Sequence, residues 1–126
     1  MNNVSNISSE QCFQKLKENE DSHLVDVRTT EEFKNDGFSD LSSINKTLHK
    51  ITIVNSDGSP NPNFLSDFSD LNLNKDSEIY FICRSGARSM RAAVLAADIG
   101  YQNLYNVEDG FTLGWKPKGL PSCNSN

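Results

Sequence analysis

Short apolar runs and apolar residues at helical spacing take turns along this chain. Ser8 stands three residues before Gln11, the spacing of a capping box, and Phe13 and Leu16 follow one helical turn apart. A helix over Ser9–Glu18 is predicted. The run His23-Leu24-Val25-Asp26-Val27 reads as a buried strand. Thr29 and Glu32 repeat the capping-box spacing at once, and Gly37 closes a second short helix. Ile44 and Leu48 mark a weaker third strand, with Ile51-Thr52-Ile53-Val54 either part of it or a loop edge.

Residues 55–63 hold Asp57-Gly58, Pro60 and Pro62 and form the one long turn-rich stretch. Phe64, Leu65, Phe68 and Leu71 then occupy one face of a helix. Glu78-Ile79-Tyr80-Phe81-Ile82 is the strongest strand pattern in the chain. An Ala-rich helix follows from Ser85 or Gly86 to Ile99, stopped by Gly100. Leu104 to Val107 is a last short strand, and a helical turn runs from Gly110 to Trp115, before Pro117 and Pro121. Strands alternate with helices too long for hairpin connections. The pattern predicts α/β architecture, with right-handed crossovers and a mostly parallel sheet covered on both faces.

At 126 residues and 14.0 kDa the chain fits one domain. Twelve Lys and Arg against 17 Asp and Glu give a formal net charge of -5, with a pI near 4.9 and no basic block. This argues against nucleic acid as a partner. Mean hydropathy is -0.56, no apolar run is long enough to cross a membrane, and the first nine residues have no apolar core. A cytoplasmic domain without membrane contact is expected, with residues 1–6 flexible, 7–121 folded and 122–126 a polar tail.

Three cysteines, Cys12, Cys83 and Cys123, are too few and too odd in number for a disulfide framework. They lack the paired spacing of a zinc site, and His23 and His49 lie near none of them. Neither metal nor cofactor is expected. One thiol stands out. Cys83 ends the strongest strand and precedes a helix N-terminus, where unpaired N–H groups and the helix dipole favour an anion. Gly86 lets the loop curl its amides inward, and Arg84 and Arg88 add positive charge. Such a setting stabilises a thiolate and holds an anionic substrate beside it. A buried structural Cys is the bland alternative, but it leaves the polar, small and cationic run after Cys83 unexplained.

Three segments carry a resemblance. Leu24-Val25-Asp26-Val27-Arg28 with Glu31-Glu32-Phe33, the loop Cys83-Arg84-Ser85-Gly86-Ala87-Arg88-Ser89, and Val107-Glu108-Asp109-Gly110 with Trp115 and Gly119-Leu120-Pro121 are similar to the signatures of single-domain rhodanese-like sulfurtransferases. The match spans about residues 7–121. It implies a three-layer fold with about five parallel strands and helices on both faces. It implies that Cys83 takes a sulfane sulfur from an anionic, thiosulfate-like donor, holds it as a persulfide and passes it to a thiol or cyanide. Arg84, Ser85, Gly86, Ala87 and Arg88 would bind donor and persulfide, and a sulfur-accepting protein is one conceivable partner. The chain departs from the family at Gly37-Phe38-Ser39, where many relatives carry Gly-His-Ile, and at Leu41-Ser42-Ser43.

Alternatives remain open at this stage. A non-catalytic binding module or a persulfide carrier would share the fold, although binding modules often lack the nucleophile. A phosphatase or arsenate reductase usually has five residues between Cys and Arg, where four separate Cys83 from Arg88. Arg28 and Glu32, four apart, are expected to form a structural ion pair. Asp26 is expected to pair with backbone or a cation, Cys12 and Trp115 to be core, and His23 to lie on the surface. Cys123 is a candidate resolving thiol.

Overall fold

The computed structural model describes residues 4–124. Its centre is a five-stranded, wholly parallel sheet. The strands are β1 (Val4–Ile7), β2 (Ser22–Asp26), β4 (His49–Lys50), β5 (Glu78–Ile82) and β6 (Asn103–Val107), in the order β1-β6-β5-β2-β4. Helices α1 (Ser9–Glu18), α2 (Thr30–Asp36), α3 (Phe64–Ser69) and α4 (Ala87–Asp98) connect them. A separate antiparallel pair joins β3 (Phe38–Ser39) to β7 (Ser122–Cys123). The α/β reading from the sequence holds.

Both capping boxes form. Ser8 Oγ accepts the Gln11 N–H at the start of α1, and Thr29 Oγ1 accepts the Glu32 N–H at the start of α2. Alternation along β5 then builds two cores. Ile79, Phe81 and Cys83 face Phe64, Phe68, Ala92, Ala93 and Ala96 of α3 and α4. Tyr80 and Ile82 face Cys12 and Leu16 of α1, with Phe111 and Trp115. Trp115 is fully buried and donates its Nε1–H to Pro121 O at 2.7 Å, which pins the chain after the last helical turn. Cys12 is fully buried, as expected, and burial followed by the Asp109 charge pushes its thiol well up.

Three expectations shift. The folded region begins before residue 7, because Val4–Ile7 pairs in register with Leu104 to Val107 as an edge strand. Its alternation is short and its outward positions are Ser and Asn, so it reads as polar chain. At the other end Ser122 and Cys123 pair with Ser39 and Phe38, so the tail is tied down there. Residues 1–3 and 125–126 of the expected flexible ends lie outside the described residues. The third strand is displaced. Ser42–Ile44 forms a 3₁₀ turn, because Asp40 Oδ1 accepts both the N–H and the hydroxyl of Ser42 and Asn45 adopts φ 59°. The strand is instead His49–Lys50, and Ile51 N and Ile53 N continue the bonding onto Asp26 O and Val27 O.

Candidate active site

Cys83 leaves β5 on the face covered by α3 and α4 and is only 1% exposed, so its sulfur lies at the base of the loop rather than on it. The Gly86 N–H donates to Sγ at 3.1 Å. Sγ and Ser89 Oγ are 3.3 Å apart, and Ser89 donates to Asn106 Oδ1 of β6, whose Nδ2 donates to Asn6 Oδ1 of β1 at 3.1 Å. A hydroxyl has one proton. While Ser89 gives its proton to Asn106, its oxygen is an acceptor for the Cys83 S–H; toward a thiolate the hydroxyl must turn.

The loop is shaped by contacts that only glycine permits. Gly86 has φ 105°, and a Cβ there would stand 2.5 Å from Glu108 O. Gly110, at φ 69°, brings the chain so close that a Cβ would overlap Arg84 O. Phe111 N donates to Cys83 O at 2.7 Å. The segment from Glu108 to Phe111 is therefore a wall for the Cys83 loop. That wall is itself fastened: Asp109 accepts the N–H and hydroxyl of Ser9 and pairs with Lys118 at 2.7 Å. Partial burial opposes ionisation of Asp109, yet Lys118 and Ser9 hold its carboxyl below the usual range.

Gly86 is the N-cap of α4 and supplies no side-chain cap. The first intrahelical bond is from Met90 N to Gly86 O, so the N–H groups of Ala87, Arg88 and Ser89 have no helical partner. Arg84 and Ser85 are exposed, and their N–H groups bond to no described protein acceptor. The predicted anion-binding stretch thus holds free backbone N–H groups on either side of Gly86, whose own N–H donates to Sγ. Ala87 is exposed at the rim.

Arg88 is the exception. Its guanidinium is held by Glu32 in a two-pronged pair at 2.6 and 2.9 Å. The expected Arg28–Glu32 pair does not form. The α2 capping box turns Glu32 toward Thr29 and the loop, while Arg28 folds back onto Asp26 with Nη2–Oδ2 at 2.8 Å and Nε–Oδ1 at 3.0 Å. Both partners of that pair are fully buried. Burial pushes the Asp26 carboxyl up against the pull of Arg28. Arg28 also donates to Gly37 O at 2.8 Å and packs on the rings of Phe111 and Phe33, 4.3 and 5.1 Å from its central carbon. Partial burial would raise Glu32 too, but Arg88 and Thr29 outweigh it and hold the carboxyl at about 2.

The other candidates fall elsewhere. His23 is half-buried and bonds Asp21 at 2.9 Å, with the His49 ring 5.9 Å away on β4. Cys123 sits opposite Phe38 and lines a hollow with Asp40 and Lys50, and burial, then Asp40, pushes its thiol up. Neither histidine nor Cys123 shares a described hydrogen bond with the Cys83 loop. Sequence reasoning missed Glu32, Ser89 and Asn106 as neighbours of the site. The signal for Ser89 was its place in the first turn of α4, at the end of the loop motif; nothing local pointed to the other two.

A family profile described as the STR4 middle domain matches residues 4–126. The chain is 41% identical over 124 residues to the uncharacterized protein RP600 of Rickettsia prowazekii, covering 94% of this chain and 96% of that one. It is 31% identical over 118 residues to a sulfurtransferase of Allochromatium vinosum, covering 94% of each. Among solved structures, Rv0390 from M. tuberculosis superposes with a TM-score of 0.87 at 32% identity, over 96% of this chain and 98% of that one.

Proposed function

The chain belongs to the rhodanese-like sulfurtransferases as a member of the STR4 middle-domain family, and on that premise we propose that it moves a sulfane sulfur from an anionic donor of the thiosulfate type to a thiol or cyanide through Cys83. The observation that carries this reading is the Cys83 sulfur at the base of a loop whose Gly86 N–H donates to it and whose Arg84 and Ser85 N–H groups have no described protein acceptor. In the loading step the Cys83 thiolate attacks the outer sulfur of thiosulfate. The S–S bond breaks with its electron pair leaving on sulfite, and Cys83 retains the sulfur as a persulfide. In the unloading step cyanide or a thiolate takes that sulfur, and the electron pair of the broken bond returns to Sγ.

The free amides of Arg84, Ser85 and the first turn of α4 would receive the donor's oxygens and then the charge on the outer sulfur. A phosphatase reading is less well supported. An arginine that clamps phosphate needs its fork free, and here Glu32 occupies the fork of Arg88. The ring from Cys83 to Arg88 is also short, with four residues between them.

The test is steady-state transfer from thiosulfate to cyanide, with aryl phosphate hydrolysis measured on the same preparation. Ping-pong kinetics, complete loss in Cys83→Ser and negligible phosphate release are expected. A ternary-complex rate law, substantial transfer by the Ser variant, or phosphatase turnover through Cys83 would overturn the reading.

A further inference from the structure

On the face of the sheet that holds Cys83, a concave site of about 220 Å³ is lined by Ile53, Pro60, Phe64, Leu65, Arg91 and Leu95 among others, reaching α4 one turn beyond Arg88. Two hydrogen bonds connect its wall to the strand of the nucleophile. Ile53 N bonds Val27 O at 3.1 Å, and Val27 N bonds Ile82 O, the residue before Cys83, at 3.0 Å. Cys83, Ile53 and Phe64 belong to one packed cluster. The outer rim is the stretch 55–63, which Ser56 fastens to Glu31 of α2, next to the Glu32 that holds Arg88.

Helix α4 links the two sites directly. Arg88, Arg91 and Leu95 are spaced i, i+3 and i+7, one stripe that runs from the loop to the cavity. Arg91 is the one charged residue lining the cavity. It is exposed, and no carboxylate pairs with it among the described residues. An unpaired guanidinium over apolar walls matches a ligand with an apolar body and a carboxylate, since arginine takes a carboxylate through two parallel hydrogen bonds. The cavity is smaller than a drug-sized pocket, and it fits a group the size of one apolar side chain.

We propose that this cavity is the acceptor subsite, and that the acceptor is an organic thiol carrying a carboxylate and one apolar group. The proposal rests on the sulfur-transfer reading of Cys83. The apolar group enters between Phe64, Leu65 and Leu95, the carboxylate pairs with Arg91, and the thiol sulfur points back along α4 to the loop. The acceptor thiolate attacks the outer sulfur of the Cys83 persulfide. That S–S bond breaks with its electron pair returning to Sγ, and the acceptor leaves as its own persulfide. The acceptor thiolate and the Cys83 persulfide anion become the acceptor persulfide anion and the Cys83 thiolate, so no further oxidant or proton source enters.

The test loads the protein with thiosulfate and follows its discharge by 2-benzyl-3-mercaptopropanoate, by the primary amide of that thiol, and by mercaptoacetate, which lacks the benzyl group. Ratios between acceptors are read within each variant, because a general loss of activity does not move them. The wild type should prefer the acid to its amide by about tenfold in kcat/KM, the size of one charge-assisted pair. Arg91→Met should abolish that preference, and Leu95→Gln should abolish the preference for the benzyl acid over mercaptoacetate. Equal use of acid and amide by the wild type, or ratios that survive either substitution, would overturn the subsite. A wild type that loads no sulfur, or does not release it to cyanide, would instead refute the sulfur-transfer reading and remove the subsite with it.

Discussion

At the carboxyl end of the sheet, two strand-to-helix turns stand side by side, joined where Val27 N bonds Ile82 O. The turn between β2 and α2 pairs its side chains internally, although Nη1 of the buried Arg28 has no acceptor among the described residues. Thr29 and Glu32 close a capping box, Arg28 packs its side chain inward, and Asp26 takes the backbone N–H of Arg28 as well as two donors of its guanidinium. The turn between β5 and α4 does the opposite. Its N-cap is Gly86, without a capping side chain, Arg84 points to solvent, and the N–H groups of Arg84 and Ser85 have no described protein acceptor. Both turns follow buried strands and carry an arginine, so neither burial nor charge distinguishes them. What differs is the cap and the direction of the first arginine: one turn has a side-chain cap and folds Arg28 inward, the other has neither and leaves Arg84 exposed. The reactive strand end is the uncapped turn, and its capped neighbour gives it a fixed wall.

If the β2–α2 turn is structural, its substitutions should act on stability and leave the chemistry of the folded fraction intact. Arg28→Met strands the buried Asp26 charge and should have the largest effect, about 3–5 kcal/mol, read as a drop in the urea midpoint. The folded molecules should still load sulfur; a variant that folds normally but takes none would place Arg28 in the reaction.

Gly86→Ala probes the other turn. The positive φ and the approach to Glu108 O predict a stability loss of about 1–3 kcal/mol. Sulfur transfer should fall further than stability, because the amide aimed at Sγ must move. Transfer rates that follow the folded fraction alone would show that loop geometry is not what activates the sulfur.

Thr29→Ala removes one cap and should cost about 1 kcal/mol, with transfer unchanged. A kinetic defect larger than the stability defect would erase the contrast between the two turns.

An effect of similar size, and one that depends on pH, lies where the turns touch. Glu32 is depressed to about 2 from an ordinary 4.5, so its ionised form favours the folded state. That contribution is fully present above the ordinary value and disappears as the pH falls through about 2. Solvent reaches a fifth of the Glu32 side chain and a quarter of its partner. After screening, about 1 kcal/mol is expected between wild type and Glu32→Gln at neutral pH, closing below pH 4.5. A difference that persists at pH 2 would mean that Glu32 acts through shape and not charge.

Much of this was legible in the chain because it is local. Capping boxes are read from residues three apart, β5 from an uninterrupted apolar run, and the Cys83 loop from seven consecutive residues. Contacts between distant segments were not. Glu32 meets Arg88 across 56 positions, and from sequence alone the nearer Arg28, one helical turn from Glu32, is the natural partner. Gly110 reads as a turn residue until its approach to Arg84 O is known. The misplaced third strand has the same origin. Residues 38–50 contain few apolar side chains, and the Asp40–Ser42 turn and the left-handed Asn45 decide their path. Nothing in the local sequence marks Arg91 and Leu95, and only the fold of residues 53–65 against them forms a cavity.

The central claim is that Cys83, among three thiols, carries the sulfur. Intact mass after incubation with thiosulfate tests it most directly, with the wild type beside Cys83→Ser and a double variant, Cys12→Ser with Cys123→Ser. Wild type and double variant should each gain one sulfur atom, and cyanide should remove it, while Cys83→Ser should gain none. No added sulfur on the wild type, or a sulfur that remains in Cys83→Ser and vanishes in the double variant, would contradict the account.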